Sequence, residues 1–391
     1  MSLSLLEGID LDKAKKYLVE RTGSPLEALP GGGGVVNVYF VVKAESDMIV
    51  RHNDPDEIVE VDVKGYATPA ITDTKLDGAY RRTLVQQISL VFKDYVKEIR
   101  EAIENTLKQF MNSNNDVTKA IATALLDKNY ARLKILDNPY TCAIRPYGAG
   151  GKEYVEGLCG ECPNCYLFGY AVAEEERGKT VKIQLDGGKE GKKETLSLEI
   201  GGYNIQSRVR GDLYPATAPS SMVTEMRTHN AVDDATKTTG QALFNVRVVK
   251  AGTIFVGKLA YYDVSLNELL LLLATLVKIP RLGASTSDYG KVRIYVPALL
   301  FADQEVGSGY EMAEEIVPQV AATGKRLGLE EAVSFVKSYV DRFKDLGYLY
   351  TSNNLTDKLY KLNREWMKEI VKQAWVDTIK LKISYEHFTT G

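Results

Sequence analysis

Positions 35–42 read Val-Val-Asn-Val-Tyr-Phe-Val-Val, apolar or aromatic at every place but one. A run so rich in β-branched and aromatic residues predicts a strand buried on both faces, and therefore central in its sheet. Ahead of it, residues 1–29 predict a short helical lead-in around 10–22, ended by Gly23-Ser24-Pro25. Gly31 to Gly34 break structure and lack the Gly-Lys-Ser/Thr ending of a phosphate-binding loop, so they read as a flexible entry to the strand. Behind the strand, 51–77 is a polar excursion read as a loop or hairpin standing off the sheet, and 83–111 has the spacing of a long amphipathic helix. A second helical stretch runs to about 136. Residues 181–200 then alternate in two pieces around Asp186-Gly187-Gly188-Lys189-Glu190-Gly191, the pattern of a hairpin with a charged tip.

From 242 the pattern turns regular: strand 242–249, turn 250–252, strand 253–262, helix 265–277 with Ser265 as its N-cap, and strand 292–300. With the first strand and long helix in front, the order is β-α-β-β-α-β, which predicts an α+β fold with a ferredoxin-like, RRM-like core enlarged by insertions. Beyond 309 the chain reads as helical to about 378, with a break at 347–355. The expected partition is a discontinuous core (30–110 and 240–305), a helical and cysteine-bearing insertion (112–180), a hairpin and thumb-like insertion (181–239), and a helical C-terminal region (306–391).

Composition narrows the class. The 391 residues are 45% hydrophobic and 26% charged, as expected of a globular protein with one elaborated domain or two. No basic n-region followed by a long apolar stretch opens the chain, and the strongest apolar run, 269–277, is too short to cross a bilayer, so a cytoplasmic protein is expected. A net charge of -3 argues against a surface coated in positive charge, but says nothing about a local basic stripe.

All four cysteines lie between 142 and 165, the last three as Cys159-Gly160-Glu161-Cys162-Pro163-Asn164-Cys165. Thiolates at that spacing can hold a knuckle closed around one metal without a large apolar core beneath it. Cys142, Cys159, Cys162 and Cys165 are thus the expected ligands, with structural zinc the first reading. Two disulfides or free thiols are the alternatives, and neighbouring thiols on a Gly/Pro/Asn turn are poorly placed to cross-link one another. The Cys-x-x-Cys-x-x-Cys run also occurs in iron-sulfur proteins, but there the fourth ligand typically follows, whereas Cys142 precedes.

Four local patterns carry a family resemblance. They are Cys165-Tyr166-Leu167-Phe168-Gly169 closing the cysteine run; Arg227-Thr228-His229-Asn230-Ala231-Val232-Asp233; Gly240-Gln241-Ala242-Leu243-Phe244-Asn245 with Gly252-Thr253-Ile254-Phe255; and Arg281-Leu282-Gly283-Ala284-Ser285-Thr286-Ser287-Asp288-Tyr289-Gly290-Lys291-Val292. In this order the chain resembles the backbone subunit of CRISPR effector (Cascade) complexes, the Cas-seven group of the RAMP superfamily, most of all its type I-D version. The resemblance implies a protein of antiviral defence that polymerises head to tail along a guide RNA (crRNA) and grips its backbone without reading sequence. Other effector subunits, and target nucleic acid reached through the guide, are the implied partners.

A sequence-independent grip on a single strand needs cations for phosphate, wedges beside splayed bases, and glycine turns that approach closely. The residues offering these are Arg51 and His52 after the first strand, Arg81 and Arg82 entering the helix, Arg208 and Arg210 before Gly211, Arg227 and His229, and Lys278 with Arg281. Gly283, Ser285, Thr286 and Ser287 form a candidate phosphate cradle. Residues 201–223 read as the thumb-like projection, with Met222 or Tyr214 as its wedge. No catalytic residue is assigned. Asp54, Asp56 and Asp62 lie where some relatives cut RNA, which makes a metal-dependent nuclease the second functional reading and an iron-sulfur redox protein the third. His52, His229 and His387 have no recognisable nucleophile partner.

Overall fold

Strand β1 (Val35–Ala44) sends alternate side chains into two different cores: Val36, Val38, Phe40 and Val42 into one, Tyr39 and Val41 into the other. The computed structural model describes residues 8–28, 32–51, 58–142, 158–171, 178–186, 193–232 and 239–390. A hairpin of β2 (Glu60–Val63) and β3 (Tyr66–Thr72) leads into the long helix α1 (Asp73–Met111), followed by α2 (Asp116–Leu126) and the short α3 (Pro163–Phe168). β4 (Lys179–Asp186) and β5 (Lys193–Ile200) make the predicted hairpin, whose tip lies outside the described residues. Next come β6 (Val209–Arg210) and β7 (Leu213–Pro215), then a second two-stranded ribbon of β8 (Thr224–Val232) and β9 (Thr239–Val249). β10 (Ile254–Tyr262), α4 (Leu266–Leu276) and β11 (Val292–Ala302) follow as predicted. The chain ends in α5 (Gly309–Thr323), α6 (Leu329–Asp341), β12 (Gly347–Thr351), α7 (Leu355–Tyr360) and α8 (Arg364–Thr390).

The main sheet has the order β12-β11-β1-β10-β6, so the apolar run expected to be central is central. β1 runs antiparallel to both of its neighbours. The break expected at 347–355 is the edge strand β12, a strand short enough to be hidden between two helical patterns. The strand expected at 242–249 forms, but not beside β10: as β9 it leaves the sheet and pairs with β8, and β6 takes the seat beside β10. Three contacts hold the 208–216 segment there. Arg208 is tied to α4 through Glu268, Tyr214 donates to Asp73 Oδ1 at the start of α1 (2.8 Å), and Gly257 in β10 leaves room for the Tyr214 ring, which a Cβ would meet at 2.5 Å.

Helices α1, α4 and α8 cover one face of the sheet and α5 and α6 the other. α4 starts where the sequence expects: Ser265 and Glu268 close a reciprocal capping box. Glu268 then does something no local pattern announces. Fully buried, it accepts from Arg21 (2.9 Å) and from Arg208 (2.6 and 3.0 Å), joining the lead-in, the β6 segment and α4. Both arginines hold the Glu268 carboxyl well below its ordinary range, overcoming the opposing effect of burial.

Candidate nucleic-acid interface and metal centre

α3 begins at Pro163 directly after Cys162, and its first turn brings Cys165 back toward Cys159 and Cys162. Proline suits that first position, because its missing N–H would have no helical partner. The sulfurs of Cys142, Cys159, Cys162 and Cys165 lie within 4.8 Å of one another. Cys165 Sγ stands 3.7 Å from that of Cys142, 3.9 Å from Cys159 and 3.8 Å from Cys162. An ion with four sulfur ligands at about 2.3 Å sets its tetrahedron edges at about 3.8 Å, whereas a disulfide bond is about 2.05 Å long. The arrangement therefore fits one tetrahedral ion and not two disulfides.

Gly160 N–H, Tyr140 O–H and the Asn164 amide donate to the sulfurs of Cys165, Cys162 and Cys142 at 3.3, 3.4 and 3.5 Å, the outer-shell support that thiolate ligands need. Hydrogen bonds from the other three thiols hold Cys142 far below the ordinary thiol range. Cys159 is pushed up chiefly by its bond to Cys142, and Cys162 chiefly by burial. A divalent cation held here would let all four thiols ionise together.

A second cluster forms at the exit of β1. The loop 281–291 lies against residues 45–51: Ala284 N–H donates to Ile49 O (2.8 Å), Gly290 N–H to Asp47 O (2.8 Å), and Glu45 N–H to Lys291 O (2.8 Å). Gly283 has φ +97° and a Cβ there would sit 2.4 Å from Ile49 O; Gly290 has φ +76° and a Cβ would sit 2.0 Å from Leu282 O. These glycines are required by backbone meeting backbone. The fold of the loop leaves Ser285, Thr286, Ser287 and Asp288 exposed at its tip, while Arg281 stays half-buried and donates to Tyr289 O (3.0 Å).

The β8–β9 ribbon stands beside this loop. Met48 bridges Val249, and Val246 and Val248 pack with Ile49, Ala284 and Tyr289. Asp47 ties the three segments together, accepting from Arg227 (2.8 Å) on β8 and from Ala251 N–H (2.9 Å) after β9. Arg51, Arg227, Arg281, Gly283 and Ser285 are thus brought to one end of the sheet, and His229 lies on the same ribbon. Asp47 and the exposed Met226 were missed by sequence reasoning. Met226 was legible as an apolar residue between Glu225 and Arg227 in an alternating strand; nothing local marks Asp47.

Other expected contacts fall elsewhere. Arg208 is buried in its pair with Glu268 and is closed to an external strand, because burying a guanidinium required a carboxylate beside it. Arg81 is half-buried at the knuckle, donating to Gly169 O (3.0 Å) over the Phe168 ring, while Arg82 on the next position of α1 is exposed. Arg210 is exposed on the sheet edge, stacked 4.4 Å over Tyr262. The 201–223 segment is not a projection: it runs through the body along β3 and β10, and the element standing off the sheet is the β8–β9 ribbon. Tyr214 is fully buried and packs on Phe40, so it is an anchor and not a wedge. Met222 is half-buried against α5 and β2. Asp62 accepts from Gly65 N–H in the β2–β3 turn (3.1 Å); His52, Asp54 and Asp56 lie outside the described residues.

A protein-family model described as Csc2 Crispr matches residues 24–386. No curated protein matches the sequence. Among solved structures, the crystal structure of Thermofilum pendens Csc2 is similar at 19% identity, with 97% of this chain and 96% of that chain covered and a TM-score of 0.57. A structure titled CRISPR RNA-guided surveillance complex, pre-nicking, is similar at 11% identity, with 87% of this chain and 100% of that chain covered and a TM-score of 0.44. Among the described residues, no helix is long and apolar enough to cross a membrane.

Proposed function

We propose, from the premise that the chain belongs to the Csc2 family of CRISPR proteins, that it is a backbone subunit which holds single-stranded guide RNA at the end of β1 and repeats head to tail along it. One observation carries this reading. Asp47 and Ile49 hold the glycine loop and the β8–β9 ribbon side by side, so that the exposed hydroxyls of Ser285, Thr286 and Ser287 stand beside Arg227 and Arg281 at one end of the sheet. That set answers phosphate and ribose without a pattern of donors specific to any base. A single subunit covers few nucleotides, so useful affinity comes from neighbouring copies on one strand, a contact that does not close into a ring. Other effector subunits and the target strand are the further partners, in the cytoplasm.

In this reading the cysteine knuckle holds structural zinc. Sulfurs this close leave room for one ion and not for a cage of irons, which disfavours the iron-sulfur alternative. The β11-β1-β10 order with α1 and α4 as connections supports descent from a ferredoxin-like core whose fourth seat was reassigned. We read the protein as a scaffold and not a nuclease: Asp62, the acidic residue of the expected loop that is described, accepts from Gly65 N–H in its own turn, with no second carboxylate assigned beside it among the described residues.

Binding of labelled polyuridine and polyadenine tests the function. Similar affinity for both, falling steeply as salt rises, is expected; no binding of either at low ionic strength refutes the grip. RNA shortened in the presence of magnesium, and spared by Asp62→Asn, would refute the scaffold assignment.

A further inference from the structure

Helix α1 is not continuous. At Tyr95 the backbone leaves helical geometry (φ -127°, ψ 31°), and beside this kink a cleft of about 250 Å³ opens between α1, the end of α4 and the start of α8. Its walls include Leu90, Val91, Tyr95 and Met367, and Leu90 is 63% exposed at the opening. Asp94 and Arg364 also line it, joined in an ion pair at 3.0 Å that cancels their charge.

Two polar groups in the cleft have no partner among the described residues. Gln87 Oε1 is buried without a hydrogen-bond donor. Lys278 is half-buried without a carboxylate, and burial holds its ammonium below the ordinary lysine range. A buried acceptor and a desolvated cation both cost stability unless something answers them. Lys278 also lies three residues before Arg281, which puts the two Cα atoms no more than about 11 Å apart.

We infer that this cleft receives one unstacked base of the single strand held at the glycine loop, with a base-edge N–H on Gln87 Oε1 and the adjoining phosphate on Lys278. The inference rests on the proposed grip on RNA and adds a site to it. The cleft is smaller than the roughly 300–1,000 Å³ of drug-sized pockets, a size suited to one flat ring with its sugar. Its apolar walls take the faces of a base, and the cation takes the charge that comes attached to it. Rotation of the Gln87 amide offers a donor in place of the acceptor, so the pocket accepts any base. An apolar side chain from another protein would fill the walls but leave Gln87 and Lys278 unanswered.

The test uses the full chain and single-stranded RNA carrying 2-aminopurine, whose emission rises when it leaves its stacked neighbours. Emission is expected to rise on binding to the wild-type protein. In Lys278→Ala and Gln87→Leu the rise is expected to vanish and affinity to drop about fivefold or more, with thermal unfolding showing that both variants are folded. Arg281→Ala, at saturation, is expected to keep the rise. Wild-type protein that binds RNA with no rise, or variants that keep both the rise and the affinity, would overturn the pocket and leave the grip standing. Wild-type protein that binds no strand at all would refute the grip itself, and the pocket with it. A rise from DNA of the same sequence would support the pocket and identify a DNA strand as a second occupant.

Discussion

The cysteine knuckle and the glycine loop are both short, glycine-punctuated segments rich in polar atoms, yet they spend those atoms in opposite ways. In the knuckle the donors turn inward: backbone, amide and phenol point at three of the four sulfurs, and all of α3 is buried. In the loop the backbone turns inward to residues 45–51 and leaves hydroxyls and charge outside. A segment closed on itself can contribute only to stability, whereas one that satisfies its backbone and exposes its side chains has something left for a ligand. The same distinction sorts the arginines. Arg208 and Arg281 are indistinguishable by residue type, but one is consumed by Glu268 and the other sits at the edge of an open surface.

The largest test of this contrast is removal of the proposed metal. Structural zinc contributes on the order of 10 kcal/mol in small zinc-bound domains, so stripping it with a strong chelator, or changing Cys162→Ser, should lower Tm by many degrees, with one zinc lost per chain by elemental analysis. An unchanged Tm would break the division between a knuckle that stabilises and a loop that binds. Next in size is Arg208→Ala, which leaves Glu268 buried beside Arg21 alone. Stripping a buried charge of its only partner costs about 3–5 kcal/mol; with Arg21 still in place the loss is expected to fall below that, read as a lower urea midpoint, while RNA affinity per folded molecule should hold. The smallest effect is expected at Arg281→Ala: stability within about 0.5 kcal/mol of wild type, affinity reduced about fivefold for unrelated sequences, and a salt slope shallower by about 1. If Arg208→Ala lost RNA binding while remaining folded, or Arg281→Ala lost only stability, the sorting by burial would be wrong.

Legibility followed the range of the interactions involved. Val35–Ala44, Ile254–Tyr262, the capped helix from Leu266 and the four clustered cysteines rest on near neighbours, so spacing and periodicity reveal them. The segment 201–223 was misread because glycine and proline punctuation looks the same in a projecting loop and in a chain threaded through the body. Its course is set by Tyr214 on Gly257 and by Arg208 on Glu268, pairings across dozens of positions. The same holds for Met222 and Met226: only strand pairing tells which of two nearby methionines is left exposed.

By itself the sequence determined an α+β protein, its central strand, the Ser265 cap and the cluster of four cysteines, because each of these is written within a short stretch of chain. Tertiary structure alone decided which strand sits beside β10, which element stands off the sheet, which arginines are spent in the core, and which polar groups line the cleft at the α1 kink. Those outcomes depend on which distant carboxylate, carbonyl or ring reaches a given side chain first, and a burial cost of several kcal/mol per unpaired charge makes that choice binding.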